Sequence, residues 1–563
     1  MKRPLLIFVA ILLAALTLRV WNLAGPDMAN DEAHYAFRSI GYLDYVAAIN
    51  RQSTPVTWFD ESQWWQRLSF HDAPPLVFAV QHAFIALAGD SVIVTRLPFI
   101  LAGLAALGAV FLFAQHLNGI GAGLIAAAAL ALVNHHVWIS RIGYLDGFLV
   151  LWIPLSLLFF LKAETDGRNY LWWGAAAAAG ILTKYTFFFM GPVFLGVLLT
   201  TPRRAWQQKY FWAGAALLVV ALSPLIAYNI QMWRSRGHPD AALSTMLGMA
   251  PEDFQGLSRA VNTNPLANLD IFASIGGQMS IGFVLLFLTA IGMGIFFAAR
   301  HTELRRPYGI LLGGLLSALL MLTAIGDHER YGVVVLPFLA IITGLVGIRI
   351  WKAARERMKI AIAVFVFLAA SWEAVFSVQS QLMARPLIAH PLFFTHVGVG
   401  RAGYRELDAY LENFYRQFPE PSDIVIYAAA PQLRDYQERR ILARNIPPDA
   451  PRQRHLLVFD DRMEWAPSVW IFERRRLYDA APIHSLTQFL DTVAARGVAP
   501  YADFGLADAT FIVAADAVTE GKSHPHPLAA EFLRRLTSSV EPMDVIRRPD
   551  GAPAFRVFRA PLQ

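Results

Sequence analysis

Of the 563 residues, 56% are hydrophobic and only 16% charged, with a mean hydropathy of +0.42. Soluble domains carry about 25% charge, so water is not this chain's main solvent. The net charge of +6 does not make nucleic acid a partner, because basic residues of membrane proteins collect in cytoplasmic loops. The absence of cysteine excludes disulfides, thiol chemistry and Cys-ligated metals together.

Met1-Lys2-Arg3 followed by the apolar run Leu5 to Leu18 has the make-up of a signal peptide. The segment runs on through Arg19, Trp21 and Leu23, and no clear small-x-small cleavage site precedes Asp31, so a membrane anchor with a cytoplasmic amino end is expected. Counting from this anchor at Leu5 to Leu23, apolar stretches recur at Leu97 to Gln115, Gly121 to Ile139, Phe148 to Leu161, Leu171 to Thr183, Tyr185 to Thr200, Trp212 to Ile230, Met279 to Ala299, Tyr308 to Ile325, Tyr331 to Ile348 and Ile360 to Val378. They predict about eleven spans, each helical because lipid offers the backbone no other partner. Pro75 to Gly89 is too short to span and contains Gln81 and His82, which suits an interfacial or re-entrant helix. The aromatic residues Trp58, Phe59, Trp64 and Trp65 are expected to line an entrance beside it.

Charge tests this threading. Without a crossing at Pro75, Lys162 and Arg168, Arg203, Arg204 and Lys209, Arg300, Arg305 and Arg306, and the cluster from Arg349 to Lys359 all face the cytoplasm, as the positive-inside rule expects. A crossing there would invert every cluster. Leu171 to Thr200 reads as a helical hairpin with Lys184 near its outer tip. Gly119, Gly121 and Gly123 open a membrane helix with no preceding strand, so they indicate close packing and not a dinucleotide loop.

Beyond about Arg401 charges and prolines become frequent. Short β-rich runs (Ile424 to Tyr427, His455 to Phe459, Val469 to Phe472, Thr510 to Val513) alternate with helical segments such as Tyr404 to Phe418, which has Leu407, Leu411 and Phe414 on one face. The expected fold class is an α-helical polytopic membrane protein with a C-terminal soluble α/β domain. The membrane domain covers 1–383, including a long outer loop at 25–96, and the soluble domain covers 384–563 on the outer side.

The threading gathers ionisable residues on that side: Asp31, Glu32 and His34; His71 and Asp72; Arg96; Arg141, Tyr144 and Asp146; Lys184; and Asp327, His328, Glu329, Arg330 and Tyr331. Cations placed against the positive-inside bias call for an anion, either a carboxylate or a phosphate. Plainer alternatives stand beside this. Asp31-Glu32 suits a helix N-terminus, Arg96 a snorkelling anchor, and Arg141 with Asp146 or Glu329 with Arg330 a structural ion pair. No H-x-x-x-H or H-E-x-x-H spacing supports zinc. A carboxylate that deprotonates an acceptor hydroxyl, with Arg and Lys neutralising a departing lipid phosphate, fits the inventory well.

The residues resemble the membrane-embedded C-type glycosyltransferases over roughly the first 380 positions. They include Asp31-Glu32 after the first span, the His71 to Leu76 segment, Arg96-Leu97-Pro98, Ser140 to Asp146, Gly180 to Lys184, and Arg330-Tyr331 with Pro337. The similarity is to bacterial relatives of the dolichyl-phosphate-mannose protein mannosyltransferases and to the aminoarabinose transferase that modifies lipid A. It implies inverting transfer from a polyprenyl-phosphate sugar donor on the periplasmic face of a bacterial inner membrane. Asp31 would be the general base with Glu32 its neighbour, and Arg96, Arg141, Lys184 and Arg330 would lie near the donor phosphate. His71, Asp72, Tyr144, Asp146, His328, Glu329 and Tyr331 would line the substrate site. No cofactor is expected, and the missing Asp-x-Asp of the second loop argues against a catalytic metal. The acceptor, whether lipid, glycan or protein, is not encoded legibly. The rival reading is a transporter or flippase of a lipid-linked sugar, which should place charge at the midplane on broken helices and often shows repeats.

Overall fold

A computed structural model of the chain describes residues 2–28, 30–41, 73–201, 205–249, 251, 268–326, 328–383, 385–395, 400–418, 454–519 and 521–562, with scattered positions between 438 and 449. The chain divides into two compact units, Met1–Leu23 with Ala47–Gly398 and Ala24–Val46 with Val399–Gln563. Ala24–Val46, part of the long outer loop expected in the membrane domain, belongs to the second unit. His71, Asp72, Asp327, Ile424 to Tyr427 and the four aromatic residues from Trp58 to Trp65 fall outside the described residues.

The first unit is helical. In chain order its main helices are α1 (Lys2–Val20), α3 (Leu76–Ala88), α4 (Val92–Leu132), α5 (Asn134–Arg141), α6 (Asp146–Lys162), α7 (Asn169–Thr183), α8 (Met190–Thr200), α9 (Lys209–Arg236), α10 (Ile281–Arg300), α11 (Thr302–Ile325), α12 (Leu336–Ala353) and α13 (Glu356–Ser377); α2 (Asn30–Gly41) lies in the other unit. Seven helical segments among the described residues are long and apolar enough to cross a membrane, or eight if the bent α5–α6 pair is one span.

The 41 residues of α4 would make a straight helix of about 60 Å, twice a bilayer's apolar thickness. The helix is broken at Asn118 and Gly119, where Gly119 has φ +80°. A Cβ on Gly123 would stand 2.7 Å from the carbonyl oxygen of Phe111, an approach that requires the two halves to fold back on each other. The expected spans Leu97 to Gln115 and Gly121 to Ile139 are therefore the arms of one hairpin. Glycines 121 and 123 serve close packing, as expected, while Gly119 makes the turn.

The second arm stops at Leu132, earlier than the expected Ile139. Asn134–Arg141 forms a separate short helix bent 116° from α6. The carboxylate of Glu373, fully buried on α13, accepts hydrogen bonds from the backbone N–H of Asn134 at 2.6 Å and of Ser280 at 2.7 Å. One acid thereby holds the N-terminal ends of α5 and α10, where the helix dipoles favour negative charge. At 13 residues, α3 is short for a crossing, as expected, and it buries Val77, Phe78 and Ile85 while Gln81 donates to Thr95 O at 2.9 Å.

The second unit is built on a five-stranded mixed sheet of order β2-β1-β3-β5-β4, with β1 His455–Phe459, β2 Ile483–Ser485, β3 Asp508–Ala514, β4 Asp544–Arg547 and β5 Pro553–Pro561. β1 runs parallel to β2 and β3, while β5 is antiparallel to β3 and β4. The expected strands at His455 and Thr510 are β1 and β3. The expected helix is α14 (Tyr404–Arg416), which buries Leu407, Leu411 and Phe414. Val469 to Phe472 is not a strand. It lies in a continuous helical stretch ending in α15 (Arg474–Asp479), where Trp470 and Arg474 meet at i,i+4 spacing with the guanidinium 4.3 Å from the ring centroid. A four-residue apolar run does not distinguish strand from buried helix by periodicity.

Candidate functional site

Three helix ends of the first unit bring sequence-distant charges together. Asp146 occupies the first turn of α6, a position where the dipole favours a carboxylate. Lys184 is the C-cap of α7, with extended backbone (φ −162°, ψ 136°) as the chain turns into the 3-10 helix Tyr185–Phe189. Arg330 precedes a second 3-10 turn, Tyr331–Val335, which hands over to α12 with Pro337 in its first turn. Gly180 is required because Phe187 of the first 3-10 turn lies 2.5 Å from where its Cβ would be. The Gly-x-Leu-Thr-Lys and Arg-Tyr-x5-Pro patterns are thus the local grammar of two turns that each deliver one cation.

The Lys184 ammonium donates to both oxygens of Asp146, at 2.8 and 2.9 Å. Arg330 Nε lies 3.9 Å from Asp146 Oδ2. Lys184 Nζ sits 4.2 Å from the Tyr331 ring centroid, and the Arg330 guanidinium lies 5.1 Å from both the Tyr144 and Tyr331 rings. Arg330 Nη2 is 3.5 Å from the Tyr331 hydroxyl. The side chain of Asp146 is 4% exposed and that of Lys184 17%, so the ammonium is the accessible edge of the group. Two cations around one carboxylate leave this trio with one unit of positive charge. The His328 ring lies tilted beside Tyr331, ring centroids 5.2 Å apart, and its Nδ1 is 3.7 Å from Glu329 Oε2.

Arg96 and Arg141 are held differently. Arg141 donates to the carbonyls of Leu18 (2.8 Å), Arg19 (3.1 Å), Asn22 (3.4 Å) and Gln381 (3.5 Å). Arg96, 1% exposed and so no snorkelling side chain, donates to Leu23 O at 2.6 Å. These carbonyls close the end of α1 and the turn after it, where helix carbonyls lack intrahelical partners and a cation suits the dipole. Among the described contacts, these two expected phosphate ligands cap the end of α1. Sequence reading also passed over Arg19, fully buried and bonded to Ser140 Oγ, Ala15 O, Ala131 O and His136 Nδ1, and Glu373. The signal was present in both, since an ionisable residue inside an apolar run is uncommon enough to demand a partner.

Asp31 and Glu32 lie in the second unit, in the first turn of α2. The dipole position anticipated for them is the one they occupy. Asp31 is half-buried and accepts from Tyr35 Oη at 3.1 Å, whereas Glu32 is 1% exposed. His34 packs on Trp465 with ring centroids 5.2 Å apart. Asp27, unremarked in the sequence, accepts from the backbone N–H groups of Ala402, Gly403 and Arg405 at 2.6, 3.2 and 3.0 Å and so caps α14. Burial pushes its carboxyl up to about 6, against the lowering effect of those three hydrogen bonds.

Residues 72–228 match the family model described as dolichyl-phosphate-mannose-protein mannosyltransferase. A putative mannosyltransferase, YycA of Bacillus subtilis (strain 168), is 25% identical over 280 residues, 48% of this chain. That match spans about two fifths (39%) of the relative's own length. Among solved structures, ArnT from Cupriavidus metallidurans bound to undecaprenyl phosphate is similar with a TM-score of 0.56 at 15% identity, covering 99% of this chain and 97% of that one. The apo oligosaccharyltransferase of Archaeoglobus fulgidus gives 0.51 at 13% identity, over 90% and 69%. The chain is therefore a multi-pass membrane protein that shares its fold with ArnT and with that oligosaccharyltransferase.

Proposed function

We propose that the chain transfers a sugar from a polyprenyl-phosphate carrier to an acceptor hydroxyl or phosphate, with inversion, on the periplasmic face of a bacterial inner membrane. The observation that carries this reading is the Asp146–Lys184–Arg330 group: buried, positive by one unit, and set at helix ends with Lys184 at its accessible edge. The undecaprenyl phosphate bound to the similar ArnT structure supports a lipid phosphate as the anion. Asp31 takes the proton of an acceptor hydroxyl. The acceptor oxygen bonds to the anomeric carbon as that carbon's bond to the phosphate oxygen breaks. The electron pair leaves with the polyprenyl phosphate, whose charge Lys184 and Arg330 neutralise. Asp31 is assigned as base over Glu32 because an acceptor can reach a half-buried carboxylate and not one that is 1% exposed.

The test is transfer of radiolabelled sugar from a polyprenyl-phosphate donor by the purified chain. Asp31→Asn is expected to abolish transfer while leaving donor binding and thermal stability intact. Full activity in that variant would remove Asp31 from the role. Movement of the lipid-linked sugar across vesicles without a new glycosidic bond would favour a transporter.

A further inference from the structure

A groove of about 330 Å³ runs between α8 and α11 of the first unit, and the transfer reading does not use it. The two helices are antiparallel and clamped at both ends. Ser317 donates to Phe189 O at 2.6 Å at one end, and at the other Arg306 donates to Thr201 Oγ1 at 3.3 Å and to Glu164 Oε2 at 2.9 Å. Between the clamps, the exposed Gly196, Gly309 and Gly313 line the groove over the buried Val193 and Val197. Gly-x3-Gly is a spacing that lets membrane helices touch. Here it does not serve that end: a Cβ on any of these three glycines would meet nothing within 4 Å, whereas at Gly174 of α7 the backbone of Gly214 on α9 occupies that space. The three glycines therefore keep a space open. In a bilayer such a space fills with hydrocarbon, because an empty one forfeits the dispersion contacts of its walls.

Length and charge decide which hydrocarbon. From Arg305 to Gly313 the groove follows α11 for about 12 Å, close to half of a bilayer's apolar thickness of about 30 Å, so it spans one leaflet. Arg305 and Arg306 stand at one end of it. Arg306 is matched by Glu164, but Arg305 is exposed and makes no hydrogen bond or ion pair among the described residues. The positive-inside rule assigns this end to the cytoplasmic leaflet, where basic pockets between membrane helices bind anionic lipid headgroups. We propose that the groove binds an anionic glycerophospholipid of that leaflet, with one acyl chain lying over Gly196, Gly309 and Gly313 and the headgroup phosphate paired with Arg305. The tail of a polyprenyl-phosphate donor fits less well, because its one charged group is engaged at Lys184 and its tail would leave Arg305 unmatched. A second copy of the chain, related by a two-fold axis along the membrane normal, would bring another Arg305 to the same level. The inference goes beyond the transfer reading and holds whether or not the chain transfers a sugar.

The experiment is native mass spectrometry of the full chain, delipidated in detergent and titrated separately with phosphatidylglycerol, phosphatidylethanolamine and undecaprenyl phosphate, with melting temperatures measured alongside. Wild type is expected to hold one phosphatidylglycerol about fivefold more tightly than phosphatidylethanolamine, the preference that one uncompensated arginine supplies. Arg305→Gln should bring the two phospholipids to equal affinity. Gly309→Leu puts a side chain where the acyl chain would lie and should remove the tightest phosphatidylglycerol adduct. Folding should survive that change, since leucine favours the helix over glycine and its Cβ enters open space. Undecaprenyl phosphate should still bind both variants, whereas Lys184→Ala should lose undecaprenyl phosphate and keep phosphatidylglycerol, so that this proposal and the transfer reading fail on different results. Equal affinity for the two phospholipids in wild type, an undiminished adduct in Gly309→Leu, loss of undecaprenyl phosphate in that variant, or a wild-type dimer that dissociates in it would each overturn the proposal.

Discussion

Two sets of buried charge in the membrane unit are held by different partners. Arg96, Arg141 and Glu373 bond to main-chain groups at helix ends, whereas Asp146, Lys184 and Arg330 face one another. A charge bound to a helix end cannot change partners without releasing that end, so it stabilises one arrangement. Side chains that neutralise each other can exchange a partner for an arriving anion, and two cations around one carboxylate still leave a positive site when the anion is absent. The contrast separates architecture from chemistry where composition alone does not.

The largest effect that would break this contrast is on activity. Lys184→Ala removes the accessible cation and is expected to lower transfer by about 100-fold or more, read as kcat/KM with the melting temperature monitored alongside. A comparable loss in Arg141→Ala at unchanged stability would erase the distinction. Glu373→Ala takes two charge-assisted hydrogen bonds from helix ends and should cost about 3 kcal/mol or more. It should appear as early thermal unfolding in detergent, with donor binding per folded molecule unchanged. Arg141→Ala should cost about 2 kcal/mol through lost capping, again without weakening the polyprenyl phosphate.

The smallest effect extends the contrast to the second unit, where Asp27 is also bound to a helix end. Its folded pKa of about 6 exceeds the ordinary 3.8, so the folded state binds more protons between these values. Its contribution to stability is complete below about pH 4 and is lost as pH rises through about 6. Thermal melts of the full chain from pH 4 to 7 should show the decline in the second unit's transition, and Asp27→Asn should flatten it.

Much of the fold was legible because hydropathy and the positive-inside bias act locally. The hairpin tip at Lys184, the short Pro75 helix and the soluble strands β1 and β3 follow from patterns within a few residues. What escaped was fixed from far along the chain. The stop at Leu132 depends on Glu373, which lies 239 positions from the N–H it accepts, and a hydropathy window averages across that break. Asp27 joins the second unit by capping a helix about 375 residues away. The capping contacts of Arg141 were not legible because they are made to backbone carbonyls, which every sequence possesses and none displays. Asp146, Lys184 and Arg330 were legible for the opposite reason, since each side chain's partner is another titratable residue.

Titration of the wild-type chain, Lys184→Ala and Arg141→Ala with undecaprenyl phosphate, followed by native mass spectrometry, addresses the central claim most directly. Tight binding by wild type and Arg141→Ala with marked loss in Lys184→Ala is the expected result. Equal affinity in wild type and Lys184→Ala, or loss confined to Arg141→Ala, would contradict the assignment of the lipid phosphate to the Asp146–Lys184–Arg330 group.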